Sequence, residues 1–466
     1  MDIRVRFLGA AQSVTGSKYL LEVDDHKILV DCGLFQGLKE LRLKNWDAFP
    51  IDIFTINQVV LTHAHLDHTG YLPKLFKEGY EGPVYCSNAT EDLIQLILLD
   101  SAKLQEEEAQ FARKKGYSKH ADPQPLYTTD DAKRVFPYLK SFEFDVDVNL
   151  TERISVRFHE AGHLLGSSIL EFTIRGDNQT KKIVFSGDLG RNNQPILRDP
   201  AILKEADVLF VESTYGDREN PFNSPKEDLR KFVLEALDNK GCLLIPAFSI
   251  GRTQQIIYYL KELLEEELIP DIPVYIDSPM AISATEVYKR NYKYHKLSDN
   301  DLGNTRRIFE YKNMQYCRDQ ARSVELNGIK SGAIIISASG MCTGGRILHH
   351  LYHRLPRPND TLLFVGYQAE GTRGRKILDG EPTVKMFGEE VPVKCNVRHL
   401  DGLSAHADKV ELMQWLSHFE KSPKYTFVVH GEKQVSERFA KTIRKELGLN
   451  AYVPQYFESV ELFRGI

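Results

Sequence analysis

The chain has 466 residues, 42% hydrophobic and 27% charged, with a formal net charge of −5. That length exceeds what one core usually organises, so two domains are expected; the near balance of charge excludes a polybasic tail, and any nucleic-acid contact must come from a local basic groove. The opening MDIRVRFLGA lacks the charged, apolar and small-residue succession of a signal peptide, and no apolar run approaches a membrane span, which predicts a soluble, cytoplasmic protein with no membrane partner.

Up to about residue 90, short β-branched runs punctuated by Gly, Asn and Asp read as strands: IRVRFLG, KYLLEV, KILVDCG, QVVLTH and PVYCS. From Thr90 to about Lys115 the period becomes helical, placing Leu93, Leu96, Ile97 and Leu104 on one face and the EEE run in solvent. Gly116 to Thr129, rich in Lys, His and Pro, reads as a long loop. Strands resume at ISVRFHEAG, SILEFTI, KKIVFSGDLG and DVLFVEST, each ending in small or polar residues suited to a strand-tip loop, where functional side chains collect. After Tyr215 the rhythm alternates: a helix near Lys226 to Leu237, strand CLLIPA, a helix from Arg252, strand VYIDS and strand AIIISAS, the pattern of a parallel-sheet α/β domain. Near Val391 strand-like text returns in VPVKCNVRHLDGLSAH, followed by a helix near Lys409 to Leu416, strand YTFVVHGE and a helix around Arg438 to Leu447, so the second domain reads as inserted into the first. Cys32, Cys86, Cys242, Cys317, Cys342 and Cys395 show no CxxC spacing and read as reduced core thiols rather than ligands.

The densest chemistry is His63-Ala64-His65-Leu66-Asp67-His68, directly after the strand Gln58 to Leu61. Three imidazoles and a carboxylate on one strand-to-helix loop can converge on a metal, because histidine nitrogen and carboxylate oxygen both suit zinc. A helix start needs one capping residue, not four. The motif supplies too few donors for two metals, but His163 in EAGHLLGSS, Asp188 in IVFSGDLG and His430 in FVVHGE each follow an apolar run and add the same donor types. A lone His after a strand is ordinarily a satisfied core or surface residue; the repeated placement is what points to metal.

On these residues the sequence resembles the metallo-β-lactamase superfamily, and within it the β-CASP nuclease branch. HAHLDH is similar to the superfamily's second motif, Asp31 in LVDCG to the first, His163 to the third and Asp188 to the fourth; Glu212 in FVEST, His406 in LSAHAD and His430 in VVHGE are similar to three motifs of the branch, in unbroken order along the chain. The resemblance implies an α/β fold: an αββα metallo-β-lactamase sandwich in residues 1–212 and 394–466, with an inserted α/β β-CASP domain, its sheet parallel, in 213–393. It implies two Zn2+ per chain, one held by His63, His65 and His163, the other by Asp67, His68 and His430, with Asp188 bridging them. Asp31 is implied as the acid that orients a ligand histidine, and His406, held by Glu212, as proton donor to the leaving 3′-oxygen; Asp67, His406, Glu212 and Asp31 thus form the catalytic set.

The activity implied is zinc-dependent hydrolysis of phosphodiester bonds in single-stranded RNA to 5′-phosphate and 3′-hydroxyl ends, endonucleolytic with 5′-3′ exonucleolysis as an additional mode, in RNA processing or decay. His430 stands where DNA-repair members carry an aliphatic residue and so favours RNA over a DNA nuclease of the same branch; the inserted domain argues against a small-molecule hydrolase such as a thioesterase or lactonase. Without the amino-terminal RNA-binding domain of archaeal relatives or the long extension of the eukaryotic cleavage factor, the sequence is most like the short bacterial ribonucleases related to the eukaryotic cleavage-and-polyadenylation endonuclease. A homodimer is left open as the assembly.

Three stretches read as contacts to RNA. The run from Ser337 to Arg346 follows strand AIII and precedes a helix; its small residues let backbone N–H groups approach phosphate, although a tight turn would choose them too. Ser337, Ser339 and Gly340 are the residues expected there. Arg252 in PAFSIGRTQQ, and Arg373, Arg375 and Lys376 in GYQAEGTRGRK, read as basic groups for the phosphate backbone, the latter three on a flexible loop. Ser404 and Ala405 join His406 as the remaining expected contacts, while Tyr367 reads as core edge rather than as a ring that stacks a base.

Overall fold

Ile3–Phe7, Tyr19–Val23 and His26–Val30 form an antiparallel meander, to which Gln58–Val60, Val84–Ser87 and Leu139–Phe142 add in parallel. Ser459–Phe463 pairs with the first strand and completes seven. The computed structural model describes residues 1–115, 122–220, 224–299 and 307–466. Its second seven-stranded sheet runs in the order Ala451–Tyr452, Tyr425–Val429, Val208–Glu212, Thr180–Phe185, Ser168–Arg175, Ile154–Glu160, Asp147–Asn149.

The facing surfaces of these sheets make one apolar core, with Phe7, Tyr19, Val30 and Val60 from the first against Phe158, Phe172, Phe185, Phe210 and Phe427 from the second. Phe210 lies at its centre, 4.0 Å and 15° from the ring of Phe185 and 4.9 Å from that of Phe427. Phe210→Ala is therefore expected to destabilise this unit by about 3–5 kcal/mol, read as a lowered denaturant midpoint; an unmoved midpoint would contradict the packing. Outside the second sheet, Lys409–Leu416 and Lys433–Leu447 set Leu412, Trp415, Phe439 and Ile443 against Val184, Leu209 and Val428. Leu72–Lys77, Asn88–Lys115 and Thr129–Val135 are the helices of the first sheet's side, giving an αββα sandwich.

The chain packs as two compact units, Met1–Glu219 with His406–Ile466, and Asn220–Ala405. Both boundaries differ from the sequence reading, which switched after residues 212 and 393. Residues after the strand Val208–Glu212 stay with the first unit because Ser213 and Thr214 bond to Val429 and His430. At the return, Asn396–His399 looks like a strand of the first unit but pairs in parallel with Thr361–Phe364 of the second. The second unit holds a six-stranded sheet, parallel throughout, in the order Met314–Tyr316, Val274–Ile276, Ile334–Ser337, Leu243–Pro246, Thr361–Phe364, Asn396–His399.

Other expectations need correction. The buried face of the helix Asn88–Lys115 is Leu93, Ile94, Ile97 and Leu98, while Leu104 is exposed; the apolar stripe drifts around a long helix, and Glu106 of the acidic run accepts from Thr129 N (3.1 Å) rather than facing only water. Residues 116–121 of the expected loop lie outside the described residues. The basic run at Arg373 is not a flexible loop: Arg373–Leu378 is a helix capped by Thr372, whose hydroxyl accepts from Arg375 N. Tyr367 is exposed, not core edge. All six cysteines are thiols, buried except for the half-buried Cys395. Among the described residues no helix is long and apolar enough to cross a membrane.

Candidate metal centre

Parallel pairing is what brings distant residues to one rim. Val30 stands opposite Val60, Phe185 opposite Phe210 and Glu212 opposite Val429, so the residues at and just beyond these strand ends emerge together: Asp31, His63, Asp188, Glu212 and His430. The turn carrying His65 to His68 is pinned by Cys32 N donating to His68 O (2.7 Å) and Leu34 N to Leu66 O (2.8 Å). Gly33 makes this approach feasible, since a Cβ there would fall 1.6 Å from Asp67 O. Asp31 and His430 both take left-handed backbone, φ 59 and φ 50, uncommon away from glycine and characteristic of functional sites.

Among the described residues three donor groups form; one, of Asp188, Glu212 and His430, shares members with the other two, which divide the remaining donors. His65 Nδ1 is 3.0 Å from His63 Nε2 and 3.2 Å from His163 Nε2, and Asp188 Oδ2 is 3.5 Å and 3.6 Å from those same two Nε2 atoms. Donors at zinc distance on a tetrahedron stand about 3.3–3.4 Å apart, so the spacing fits one ion. In the other group His68 Nε2 is 3.1 Å from His430 Nε2, and Asp67 Oδ2 is 3.4 Å from His430 Nε2. Asp188 Oδ1 faces this group, 3.4 Å from His68 Nε2 and 3.5 Å from His430 Nδ1. Each carboxylate oxygen of Asp188 thus addresses a different donor set. The whole is nearly dry, and its imidazole and carboxylate donors match the preferences of zinc.

Asp31 Oδ2 accepts from His68 Nδ1 at 2.7 Å, which turns the lone pair of Nε2 inward; Asp31 is itself fixed by Thr62 N (2.8 Å) and the Ser17 hydroxyl (3.1 Å). Burial lowers His63 and His65, the former well below its ordinary value. Burial pushes the Asp188 carboxyl up, but His430 and His68 outweigh it and hold it well below the usual carboxylate range.

His406 belongs to neither donor set, although its ring packs 4.4 Å from that of His163. Its Nδ1 is 3.2 Å from each oxygen of Glu212 and 4.0 Å from Asp188 Oδ2, and Tyr215 lies edge-on, 5.6 Å away. Glu212 is fully buried and accepts from Leu189 N at 2.6 Å. Burial opposes protonation of His406, yet the Glu212 carboxylate prevails and pushes the imidazole up to about 10. The adjacent helix cap is Asp408, in a capping box with Glu411, so capping does not fall to His406.

Sequence reasoning missed Thr62, which bonds Asp31, and Thr214, whose hydroxyl is 3.1 Å from His430 Nδ1. A hydroxyl flanking a motif residue was the available signal. Missed too was the role of Gly190, where a Cβ would lie 2.0 Å from Gly162 O beside the His163 loop.

In the second unit Ser339, Gly340, Arg252 and Arg373 gather at the ends of the central strands. Gly340 packs against Phe248, as does Gly366, which also neighbours Arg252. Arg252 Nη1 donates to Val365 O, and Arg373 donates to Cys342 O (2.6 Å) and Lys385 O (3.1 Å). Ser337 is not presented with them: it is buried and its hydroxyl donates to Asp277 O at 2.8 Å. Arg375 turns away to pair with Asp379 at 2.8 Å. Ser404 and Ala405 lead into His406, whose backbone forms a bridge with Gly190.

The chain matches three family models: the metallo-beta-lactamase superfamily over residues 14–247, the Beta-Casp domain over 253–377 and the Zn-dependent metallo-hydrolase RNA specificity domain over 390–454. It belongs to the metallo-β-lactamase superfamily of metal-dependent hydrolases, in its β-CASP branch. Ribonuclease TTHA0252 of Thermus thermophilus is 37% identical over 93% of this chain and 94% of its own. Transcription termination factor FttA of Methanosarcina mazei is 32% identical over 99% of this chain and 72% of its own, and that of Methanocaldococcus jannaschii 30% identical over the same shares. A crystal structure of a protein of unknown function from Enterococcus faecalis V583 shares the fold, with a TM-score of 0.55 at 13% identity, covering 99% of this chain and all of the other.

Proposed function

We propose that the chain is a two-zinc ribonuclease that hydrolyses single-stranded RNA to 5′-phosphate and 3′-hydroxyl ends. The observation that carries this reading is the Asp188 carboxylate, which offers one oxygen to His63 and His163 and the other to His68 and His430. His63, His65 and His163 would hold one ion, Asp67, His68 and His430 the second, and Asp188 both. When bound, zinc supplies a nucleophile from water at neutral pH and neutralises charge at the phosphate.

The chain's own groups do the rest. Asp31 fixes the tautomer of His68, and Thr214 orients His430. Glu212 takes the Nδ1 proton of His406 in a hydrogen bond and leaves Nε2–H to protonate the departing 3′-oxygen. RNA as the substrate is supported by the match to an RNA specificity domain and by the ribonuclease relative. End-labelled RNA and single-stranded DNA of one sequence, incubated in parallel with the zinc-loaded chain, should give RNA cleavage with 5′-phosphate products; faster cleavage of the DNA would instead assign a DNA nuclease.

Backbone binding is assigned to the cluster around Ser339, Gly340 and Arg252, with Arg373 and Arg375 supplying charge. Arg375 can exchange Asp379 for phosphate at little cost, because the pair is exposed and screened by solvent. Replacing Arg373 and Arg375 by Ala is expected to weaken RNA binding and to reduce the salt slope by about one for each phosphate that is no longer neutralised. An unchanged slope would remove both residues from the interface.

A further inference from the structure

The first unit exposes an aromatic and basic patch that the chemistry above does not use, built on the segment leaving Asp31. Phe35 N donates to Asn45 Oδ1 (2.9 Å) and Asn45 Nδ2 to Phe35 O (2.8 Å), a buried clamp flanked by half-buried Lys44 and exposed Trp46. Lys44 Nζ lies 4.0 Å above the ring of Tyr456 and 5.3 Å above that of Phe35. Trp46 is 55% exposed, an unusual state for an indole. Tyr456 packs against Phe457, the ring centroids 3.9 Å apart.

Phe457 is itself 56% exposed and takes φ 67, a backbone region that bulky residues avoid. Its backbone is held there by Phe457 N donating to Phe7 O at 2.8 Å and Phe7 N to Glu458 O at 2.9 Å. Exposure and strain coincide on one ring, the combination found where a side chain is presented to a ligand. Lys39 and Arg42, on Lys39–Leu43, are exposed and enter no ion pair among the described residues, although Glu40 and Asp47 lie in the same segment.

We propose that this patch is a stacking platform for single-stranded RNA, with bases on Trp46 and Phe457 and backbone phosphates on Lys39, Arg42 and Lys44; the proposal rests on the ribonuclease reading. Charge and ring faces select the occupant. Every base offers a π face and every linkage a negative charge, so exposed rings interleaved with unpaired cations suit a nucleic-acid strand of any sequence. The centre of a protein interface is instead depleted of lysine, even though Leu38 and Leu43 add apolar surface here.

Of the two tryptophans, Trp415 is 6% exposed and donates its indole N–H to Ala201 O, so an RNA-dependent change in indole emission reports Trp46. Stopped-flow mixing of the zinc-loaded protein with a single-stranded oligouridylate should quench that emission before cleavage. Trp46→Ala should abolish the quench. Trp46→Ala and Phe457→Ser should each raise KM for the oligomer about tenfold with kcat unchanged, and Trp46→Phe should restore KM. Cleavage without quenching, or KM unmoved by Trp46→Ala, overturns the platform. So does a Trp46→Ala chain that keeps its KM but changes from dimer to monomer in light scattering, which assigns the patch to a second copy. Quenching without RNA cleavage would instead sink the ribonuclease reading and leave the platform standing.

Discussion

His406→Ala is expected to slow RNA cleavage by roughly 10²–10⁴-fold while metal content stays at the wild-type value. The two effects separate because His406 is bound to Glu212, 3.2 Å from both its oxygens, and stands 4.0 Å from Asp188, whereas the donor sets close without it. A 3′-alkoxide leaves poorly unless protonated. Replacing the bridging 3′-oxygen by sulfur removes that need, since a thiolate leaves unaided, and the His406→Ala chain should then recover most of its rate. If the sulfur substrate is slowed as severely as ordinary RNA, His406 positions the phosphate instead.

The double replacement Asp67→Ala with His68→Ala should remove one of the roughly two metals expected per chain from the two-metal precedent, and cleavage with it. Asp188→Ala should go further, because the carboxylate it removes faces His63 and His163 on one side and His68 and His430 on the other. Its rate deficit should not be rescued by the sulfur substrate. Elemental analysis of both proteins decides the matter: full occupancy in the double variant would refute the division of ligands.

What was legible in the sequence followed from local rules. HAHLDH packs its donors into one turn, and His163, Asp188 and His430 each follow a run whose strand character is evident, so the donor inventory could be assembled before any contact was known. Their division into two sets came from the family resemblance and not from local rules, because it depends on strand order: Thr180–Phe185 neighbours Val208–Glu212, which neighbours Tyr425–Val429. The difference in the boundary near residue 394 has the same origin, since Asn396–His399 carries the same β signal in either sheet and only the partner Thr361–Phe364 decides. Arg373 and Arg375 were misread for a different reason. Their glycines and charges suggest a mobile loop, yet Thr372 caps a helix and neutral carbonyls take up Arg373.

The first unit draws on both ends of the polypeptide, with Ile466 N donating to Met1 O at 3.0 Å, Ser459–Phe463 pairing with Ile3–Phe7, and Tyr425–Val429 lying inside the second sheet. Synthesis runs from the amino end, so a growing chain holds His63 through Asp188 long before His430 is made. Until the strand Tyr425–Val429 emerges and slots beside Val208–Glu212, the second sheet is incomplete and the group of Asp67, His68 and His430 lacks a member.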